Sequence, residues 1–184
     1  MEFQNHIVSE WFWAKLQLLE DRLHMDISYN NLQGIIPNFA HKNIFNEISL
    51  GSNQFEGPIP LFLRDSFHLD LSKNKFSDSI LFLCGNGIIE TLYQLDLSHN
   101  QLSGEIPDCW SHFKSLTYLN MSHNKFSGKV PTSMGSLFHL QALLFRNNNL
   151  TNEILFFFEE LQKACNVRYG RKQINWNFSC LDWE

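Results

Sequence analysis

Residues 95–107, LDLSHNQLSGEIP, and residues 119–131, LNMSHNKFSGKVP, share one pattern, and this pattern decides the fold. Four further copies occur, at residues 25–37, 48–60, 69–81 and 143–155. Successive copies are 21 to 26 residues apart when measured between the asparagines they share. A regular period of this length is typical of solenoids, in which each repeat forms one coil stacked on the next.

Each copy begins with apolar residues that alternate with polar ones, as in Leu95, Asp96 and Leu97. This period of two predicts a short strand with one buried face, and successive strands should stack in parallel about 4.8 Å apart. The asparagine after the strand can donate and accept hydrogen bonds where the turning backbone leaves its own groups unpaired. We therefore predict an internal asparagine ladder formed by Asn30, Asn53, Asn74, Asn100, Asn124 and Asn148.

A second fixed position lies four residues after each ladder asparagine. Four copies have glycine there, namely Gly34, Gly57, Gly104 and Gly128, whereas the third and sixth copies have Asp78 and Asn152. Aspartate and asparagine are the other residue types that best tolerate positive φ. The pattern therefore predicts a left-handed turn at this position.

The outward residues of the strands and of the turns after them form columns across the coils. Their carboxylate, imidazole, cationic and aromatic side chains suit a broad surface for a peptide or protein ligand. The candidate ligand-binding residues are His68, Asp70, Lys73, Gln94, Asp96, His99, Tyr118, Asn120, His123 and Arg146. The alternative, that any one of them is simply a solvated strand residue, stays open from the sequence.

Two of these columns contain pairs that could carry other chemistry. His99 and His123 could bind a metal ion or respond to pH, and Asp70 and Asp96 could serve acid–base catalysis. Surface variation of an open, shallow face explains both pairs more simply. The sequence also contains no phosphate-binding loop, kinase catalytic motif, nucleophile elbow or metalloprotease motif. We therefore expect no enzyme activity, no metal site and no cofactor.

The template LxxLxLxxNxLSGxIP, present at residues 92–107 and 116–131, resembles the plant-type extracellular leucine-rich repeat. The chain is similar to plant receptor-like proteins of the group that includes receptors for a fungal xylanase, and to the ectodomains of leucine-rich-repeat receptor kinases. The resemblance implies an α/β solenoid. Such a solenoid is a right-handed superhelix with short parallel strands on its concave face and 3₁₀ turns, short helices or extended segments on its convex face.

The repeat pattern divides the chain into three parts. Residues 1–22 read as an incomplete preceding repeat with an irregular start, residues 23–155 as six repeats, and residues 156–184 as a degenerate C-terminal segment. The opening residues include Glu2, Glu10 and Lys15 where a secretion signal requires an apolar stretch, and the sequence has no apolar run of membrane-spanning length. We therefore expect a segment of a receptor ectodomain, whose parent protein is membrane-anchored at the extracellular face of the plasma membrane.

The composition argues against one class of partner and against disorder. The formal net charge is −5, and 43% of the residues are hydrophobic. Mild acidity argues against nucleic-acid binding, and this apolar content argues against wholesale disorder.

The positions of two cysteines within their repeats predict a disulfide. Cys84 lies ten residues after Asn74 and Cys109 nine residues after Asn100, so neighbouring coils bring them to nearly equivalent points. Two buried free thiols are the alternative. Whether Cys165 and Cys180 form a second bridge stays open, because the repeat has decayed around Cys180.

Three N-x-Ser/Thr motifs mark candidate glycosylation sites at Asn120, Asn149 and Asn177. The strand pattern places Asn120 at an outward position, so it is the best placed of the three.

Three functional hypotheses follow. The first is ligand recognition by a plant cell-surface receptor in defence or development, with signalling through a co-receptor kinase. The second is a secreted inhibitor that resembles polygalacturonase inhibitors, and the third is a receptor remnant without activity of its own.

Overall fold

The computed structural model describes residue 8 and residues 10–16, 23–38, 45–85 and 91–151. The predicted C-terminal segment 156–184 lies outside the described residues, and so do Asn152, Cys165, Asn177 and Cys180.

One strand from each coil joins a six-stranded sheet. These strands are β1 (Leu23–Asp26), β3 (Phe45–Ser49), β5 (His68–Asp70), β7 (Gln94–Asp96), β9 (Tyr118–Asn120) and β11 (Ala142–Leu144). All neighbouring strands are parallel, and their order in the sheet follows the order along the chain. The predicted parallel stack of coils is therefore present.

A second short strand in each coil forms two smaller parallel sheets. The first contains β2 (Gln33–Ile35), β4 (Gln54–Gly57) and β6 (Lys75–Phe76), and the second contains β8 (Ser103–Glu105), β10 (Lys125–Gly128) and β12 (Asn149–Leu150). The sequence analysis did not predict these two smaller sheets. The reason is that two- to four-residue strands are too short to show a period.

The predicted left-handed turn is confirmed at every described copy. The φ angles are 111° at Gly34, 77° at Gly57, 82° at Gly104, 77° at Gly128 and 67° at Asp78. Asp78 therefore adopts the conformation that glycine adopts in the other coils.

Five return segments are helical in the described ranges of the chain. They are the helix α1 (Glu10–Leu16) and the 3₁₀ turns Leu61–Asp65, Leu81–Leu83, Trp110–His112 and Thr132–Ser136. Trp13 and Trp110 are 2% and 0% exposed, so both are packing residues.

The core between the sheet and the return segments consists of inward leucines and stacked phenylalanines. Leu69, Leu95 and Leu119 occupy the same register position in β5, β7 and β9 and are fully buried. The rings of Phe55 and Phe76 stack with centroids 6.4 Å apart. Burial of this apolar surface is the main favourable contribution to folding.

The ladder asparagines connect each coil to the one before it. The Nδ2 of Asn100 donates to the carbonyl oxygen of Leu71 at 2.9 Å, and its Oδ1 accepts the N–H of Phe76 at 3.0 Å. Asn53, Asn74, Asn124 and Asn148 make the equivalent pair of bonds. Asn30 differs, because it is exposed and its amide donates to Ile27 and Ser28 of its own coil.

Candidate functional site

The outward side chains of the six-stranded sheet, with those of the residues between each strand and its ladder asparagine, form a surface that we call the strand face. Its columns follow from the strand register. His68 pairs with Gln94 and Gln94 with Tyr118, and in the next column Asp70 pairs with Asp96 and Asp96 with Asn120. The structure thus brings these predicted residues onto one surface. It places Lys73, His99, His123 and Arg146 in the turns beside them.

The column that contains Asp70, Asp96 and Asn120 also stabilises the backbone. The Oδ1 of Asp70 accepts the N–H of Ser72 at 2.9 Å, and the Oδ1 of Asp96 accepts that of Ser98 at the same distance. Asp26 and Asn120 make the same contact with the serine two residues on. This side-chain turn satisfies the backbone as it leaves the strand and occupies one oxygen of each carboxylate.

At the centre of the strand face, Asp96, Tyr118 and Asn120 form one hydrogen-bonded cluster. The Nδ2 of Asn120 lies 3.2 Å from both the Oδ2 of Asp96 and the hydroxyl oxygen of Tyr118, and that hydroxyl lies 3.4 Å from the same Asp96 oxygen. Burial, followed by the charge of Asp96, raises the pKa of Tyr118. Tyr118 is therefore a neutral hydroxyl at any physiological pH, held in place by its neighbours.

The two described glycosylation motifs differ in how accessible their asparagines are. Asn120 is only 8% exposed, and Nδ2, the atom that would carry a glycan, is within hydrogen-bonding distance of Asp96 and Tyr118. Asn149, at the start of β12, is exposed. The period-two pattern correctly placed Asn120 on the outward side of the strand but could not show that its neighbours cover it. Both sites stay predictions, with Asn149 now the more accessible.

The residue before each ladder asparagine adopts left-handed backbone, which the sequence analysis missed. The φ values lie between 52° and 57° at Tyr29, Ser52, Lys73, His99, His123 and Asn147. We call these six residues the left-handed column. The presence of asparagine at the last position was the available signal, since asparagine visits this region more readily than most residues.

Two members of this column stack on each other. The rings of His99 and His123 are 3.9 Å apart between centroids and 12° from parallel. The side-chain amide nitrogen of Asn147 lies 2.9 Å from Nδ1 of His123. Burial lowers the pKa of His123, and the positive charges of His99 and Arg146 lower it further. The geometry therefore favours a neutral ring at His123.

The two cysteines that the sequence paired are joined behind the sheet. Cys84 follows the turn Leu81–Leu83 and Cys109 precedes the turn Trp110–His112, and their Cα atoms are 5.7 Å apart in a disulfide. The bond links neighbouring coils.

Within the described part of the chain, no group of three or more His, Cys, Asp or Glu side chains could hold a metal ion. None of the helices in that part is long and apolar enough to cross a membrane.

The comparisons with known proteins agree with this architecture. Residues 89–126 match the family model described as leucine rich repeat. The chain is 43% identical over 93 residues to "Receptor-like protein EIX2" of Solanum lycopersicum, which covers 50% of this chain and 9% of the relative. This chain carries leucine-rich repeats of the plant receptor-like type. It spans less than a fifth of the length of this relative.

Plant receptors are among the solved structures that this chain resembles. The leucine-rich-repeat chain superimposes on the structure titled "Crystal structure of PEPR1-AtPEP1" with a TM-score of 0.66 and 32% identity, covering 78% of this chain and 20% of that one. It matches the Arabidopsis receptor kinase HAESA, solved with the peptide hormone IDA and the co-receptor SERK1, with a TM-score of 0.61 and 29% identity. That match covers 72% of this chain and 23% of HAESA. The leucine-rich-repeat solenoid predicted from the sequence is confirmed.

Proposed function

We propose that the strand face recognises a peptide or protein ligand outside the plant cell, as part of a cell-surface receptor that signals through a partner kinase. The observation that carries this proposal is the continuity of the strand face. The strands β1, β3, β5, β7 and β9 present carboxylate, imidazole, hydroxyl and amide groups outward, and the guanidinium group of Arg146 follows β11. The opposite side of the central strands β3, β5, β7 and β9 is apolar and buried.

Several properties support binding rather than catalysis. The Asp70 and Asp96 carboxylates, the pair that could suggest acid–base chemistry, each commit one oxygen to a backbone turn. The central cluster of Asp96, Tyr118 and Asn120 is held rigidly by its own hydrogen bonds, which lowers the entropy lost when a ligand binds. Tyrosine and arginine, the residue types of Tyr118 and Arg146, are enriched among the contacts that dominate binding energy.

The similar proteins favour a receptor over a secreted inhibitor. The relative from tomato is named as a receptor-like protein, and the similar receptor kinase HAESA was solved with a peptide hormone and a co-receptor. By analogy, the partners of this chain are a peptide or protein ligand and a co-receptor kinase. The parent protein would then reside at the extracellular face of the plasma membrane.

The test is selection of peptides from a displayed random library on the immobilised 184-residue chain, followed by binding measurements on variants. Peptides that use the strand face should lose roughly tenfold or more in affinity with Tyr118→Ala or Arg146→Ala. The matched control is Leu81→Ser, which changes an exposed residue of a return segment. Failure to select any peptide, or binding that Leu81→Ser weakens as much as Tyr118→Ala, would contradict the proposal.

A further inference from the structure

A further column of side chains runs beside the strand face, one residue before the column that contains His68, Gln94 and Tyr118. We call it the flank column, and it consists of Asn46, Phe67, Tyr93, Thr117 and Gln141. A backbone hydrogen bond joins each member to the member in the preceding coil, with N–H donating to the carbonyl oxygen at 2.7 to 2.8 Å. None of the five side chains belongs to a buried residue. The flank column is therefore an ordered, outward part of the stack.

Two aromatic rings lie in the middle of the flank column. The ring centroids of Phe67 and Tyr93 are 6.1 Å apart, and the ring planes are tilted by 53°. Tyr93 is 49% exposed and is one of five exposed large apolar side chains in the described part of the chain. Water solvates the carbon surface of such a ring poorly, so a ligand with a flat apolar face gains free energy by covering it.

Neutral hydrogen-bonding groups lie on both sides of the two rings. Asn46 and Gln141, at the ends of the flank column, carry amides that both donate and accept. The hydroxyl of Thr117 donates to the carbonyl oxygen of Tyr93 at 2.9 Å, and its oxygen can still accept. The five side chains include no carboxylate, ammonium, guanidinium or imidazole group. The flank column thus differs from the strand face, whose side chains carry charges of both signs.

We propose that the flank column binds an extended, neutral, β-1,4-linked glycan, with one sugar unit for each coil. Neighbouring coils repeat at about 4.8 Å, close to the length of one pyranose unit in such a chain. Each unit presents an apolar face of C–H groups, which suits the rings of Phe67 and Tyr93, and hydroxyl groups at its edges, which suit the amides and the hydroxyl on either side.

The absence of charge and the regular step of the flank column favour a glycan over a peptide. An uncharged surface that repeats at a constant interval matches an uncharged polymer of identical units, whereas the side chain of a peptide changes at every residue. The site lies outside the strand face, so it adds a second class of ligand to the recognition function proposed above and does not depend on that function.

The experiment is isothermal titration calorimetry of the full 184-residue chain with cellohexaose and with chitohexaose. Both probes are neutral β-1,4-linked glycans, and the preference between them distinguishes a plain glucan from an N-acetylated source. We expect saturable binding whose affinity rises from the disaccharide to the pentasaccharide and then levels off, because the flank column has five positions. Maltohexaose has the composition of cellohexaose, but its α-1,4 linkages curl the chain, and it should bind roughly tenfold more weakly or not at all.

The decisive variants change Tyr93. Tyr93→Ala removes the exposed ring and should weaken glycan binding roughly tenfold, whereas Tyr93→Phe keeps the ring and should bind like the parent chain. The matched control is Tyr29→Ala, which removes a tyrosine side chain that is 80% exposed in the left-handed column and should leave the affinity unchanged. In the parent chain, NMR shifts of the Phe67 and Tyr93 ring signals during titration locate the glycan without any substitution.

Three outcomes would overturn the proposal: binding of neither β-1,4-linked glycan, equal binding of maltohexaose, or the same loss of affinity with Tyr29→Ala as with Tyr93→Ala. Selected peptides that lose affinity with Tyr93→Ala, in a chain that binds neither glycan, would assign the flank column to a protein partner instead. The two functions are separable, because Tyr93→Ala tests the flank column and Arg146→Ala tests the strand face.

Discussion

The side-chain amide of Asn100 donates to the carbonyl oxygen of Leu71, 29 residues earlier in the chain. The same amide group also accepts the N–H of Phe76, so one side chain satisfies both a donor and an acceptor of the preceding coil. Asn100 is 9% exposed, and water could not easily replace these bonds. The cohesion of the stack therefore depends on a side chain as well as on the sheets.

Replacement of this residue should be costly. Asn100→Ala leaves Leu71 O and Phe76 N–H without their buried partner, and we expect a loss of about 2–4 kcal/mol in the free energy of unfolding. Urea unfolding of the full chain measures this loss. The matched control is Asn30→Ala, whose amide donates only within its own coil and is exposed, and which should lose less than about 1 kcal/mol. Equal losses in both variants would show that the contact between coils is unimportant.

The disulfide between Cys84 and Cys109 should stabilise the stack measurably. It closes a loop with a sequence separation of 25, for which restriction of the unfolded chain predicts about 3–4 kcal/mol. The measurement compares chemical unfolding with and without reductant in a chain where Cys165 and Cys180 are serine, so that only this bond responds. Reductant should not change the free energy of unfolding of a chain that also carries Cys84→Ser and Cys109→Ser. No effect of reductant on the first chain would mean that the two thiols are free.

The left-handed column predicts that a substitution will increase stability. Lys73→Asn relieves unfavourable backbone at φ 52° and should raise the free energy of unfolding by about 0.5–1 kcal/mol. Lys75→Asn makes the same chemical change two residues later, in the extended strand β6, where it should be neutral or mildly destabilising. Thermal unfolding of the two variants beside the parent chain provides the comparison. A stabilisation by both would indicate an effect of charge rather than of backbone.

Stability should depend on pH through His123. Its pKa is lowered in the folded state, so the unfolded chain binds the proton more readily. The contribution is complete above the usual histidine pKa of about 6.5 and is lost as the pH falls through that value toward the lower folded pKa. The parent chain should therefore lose more stability than His123→Asn between pH about 7.5 and about 5. Parallel curves for the two proteins would show that His123 titrates alike in both states.

Glycan attachment should distinguish the two described N-x-Ser/Thr motifs. When the chain is produced in a secretory host, we expect folded protein with a glycan at Asn149, which is exposed, and none at Asn120, which is enclosed by Asp96 and Tyr118. Mass spectrometry of glycopeptides identifies the occupied sites. Thr151→Val should abolish attachment at Asn149. A well-folded fraction with a glycan at Asn120 would require that cluster to open.

The sequence predicted the repeat, the strand register and the ladder because these depend on apolar spacing and on one residue type. The coil positions of Cys84 and Cys109 were likewise readable from the period. The stack of His99 on His123 could be anticipated only as a shared column, since ring contact depends on side-chain torsions that spacing does not fix. The burial of Asn120 was missed because an alternating pattern shows which way a residue points but not what covers it.

The hydrogen bonds of Asn53, Asn74, Asn100, Asn124 and Asn148 each reach one coil back. Each of these coils thus supplies the asparagine hydrogen bonds that connect it to the preceding coil, and these bonds do not depend on how many coils follow. A coil can therefore be duplicated or deleted as a unit while the asparagine hydrogen bonds between the other coils keep their geometry. Rod length can change in whole steps without new contacts having to arise.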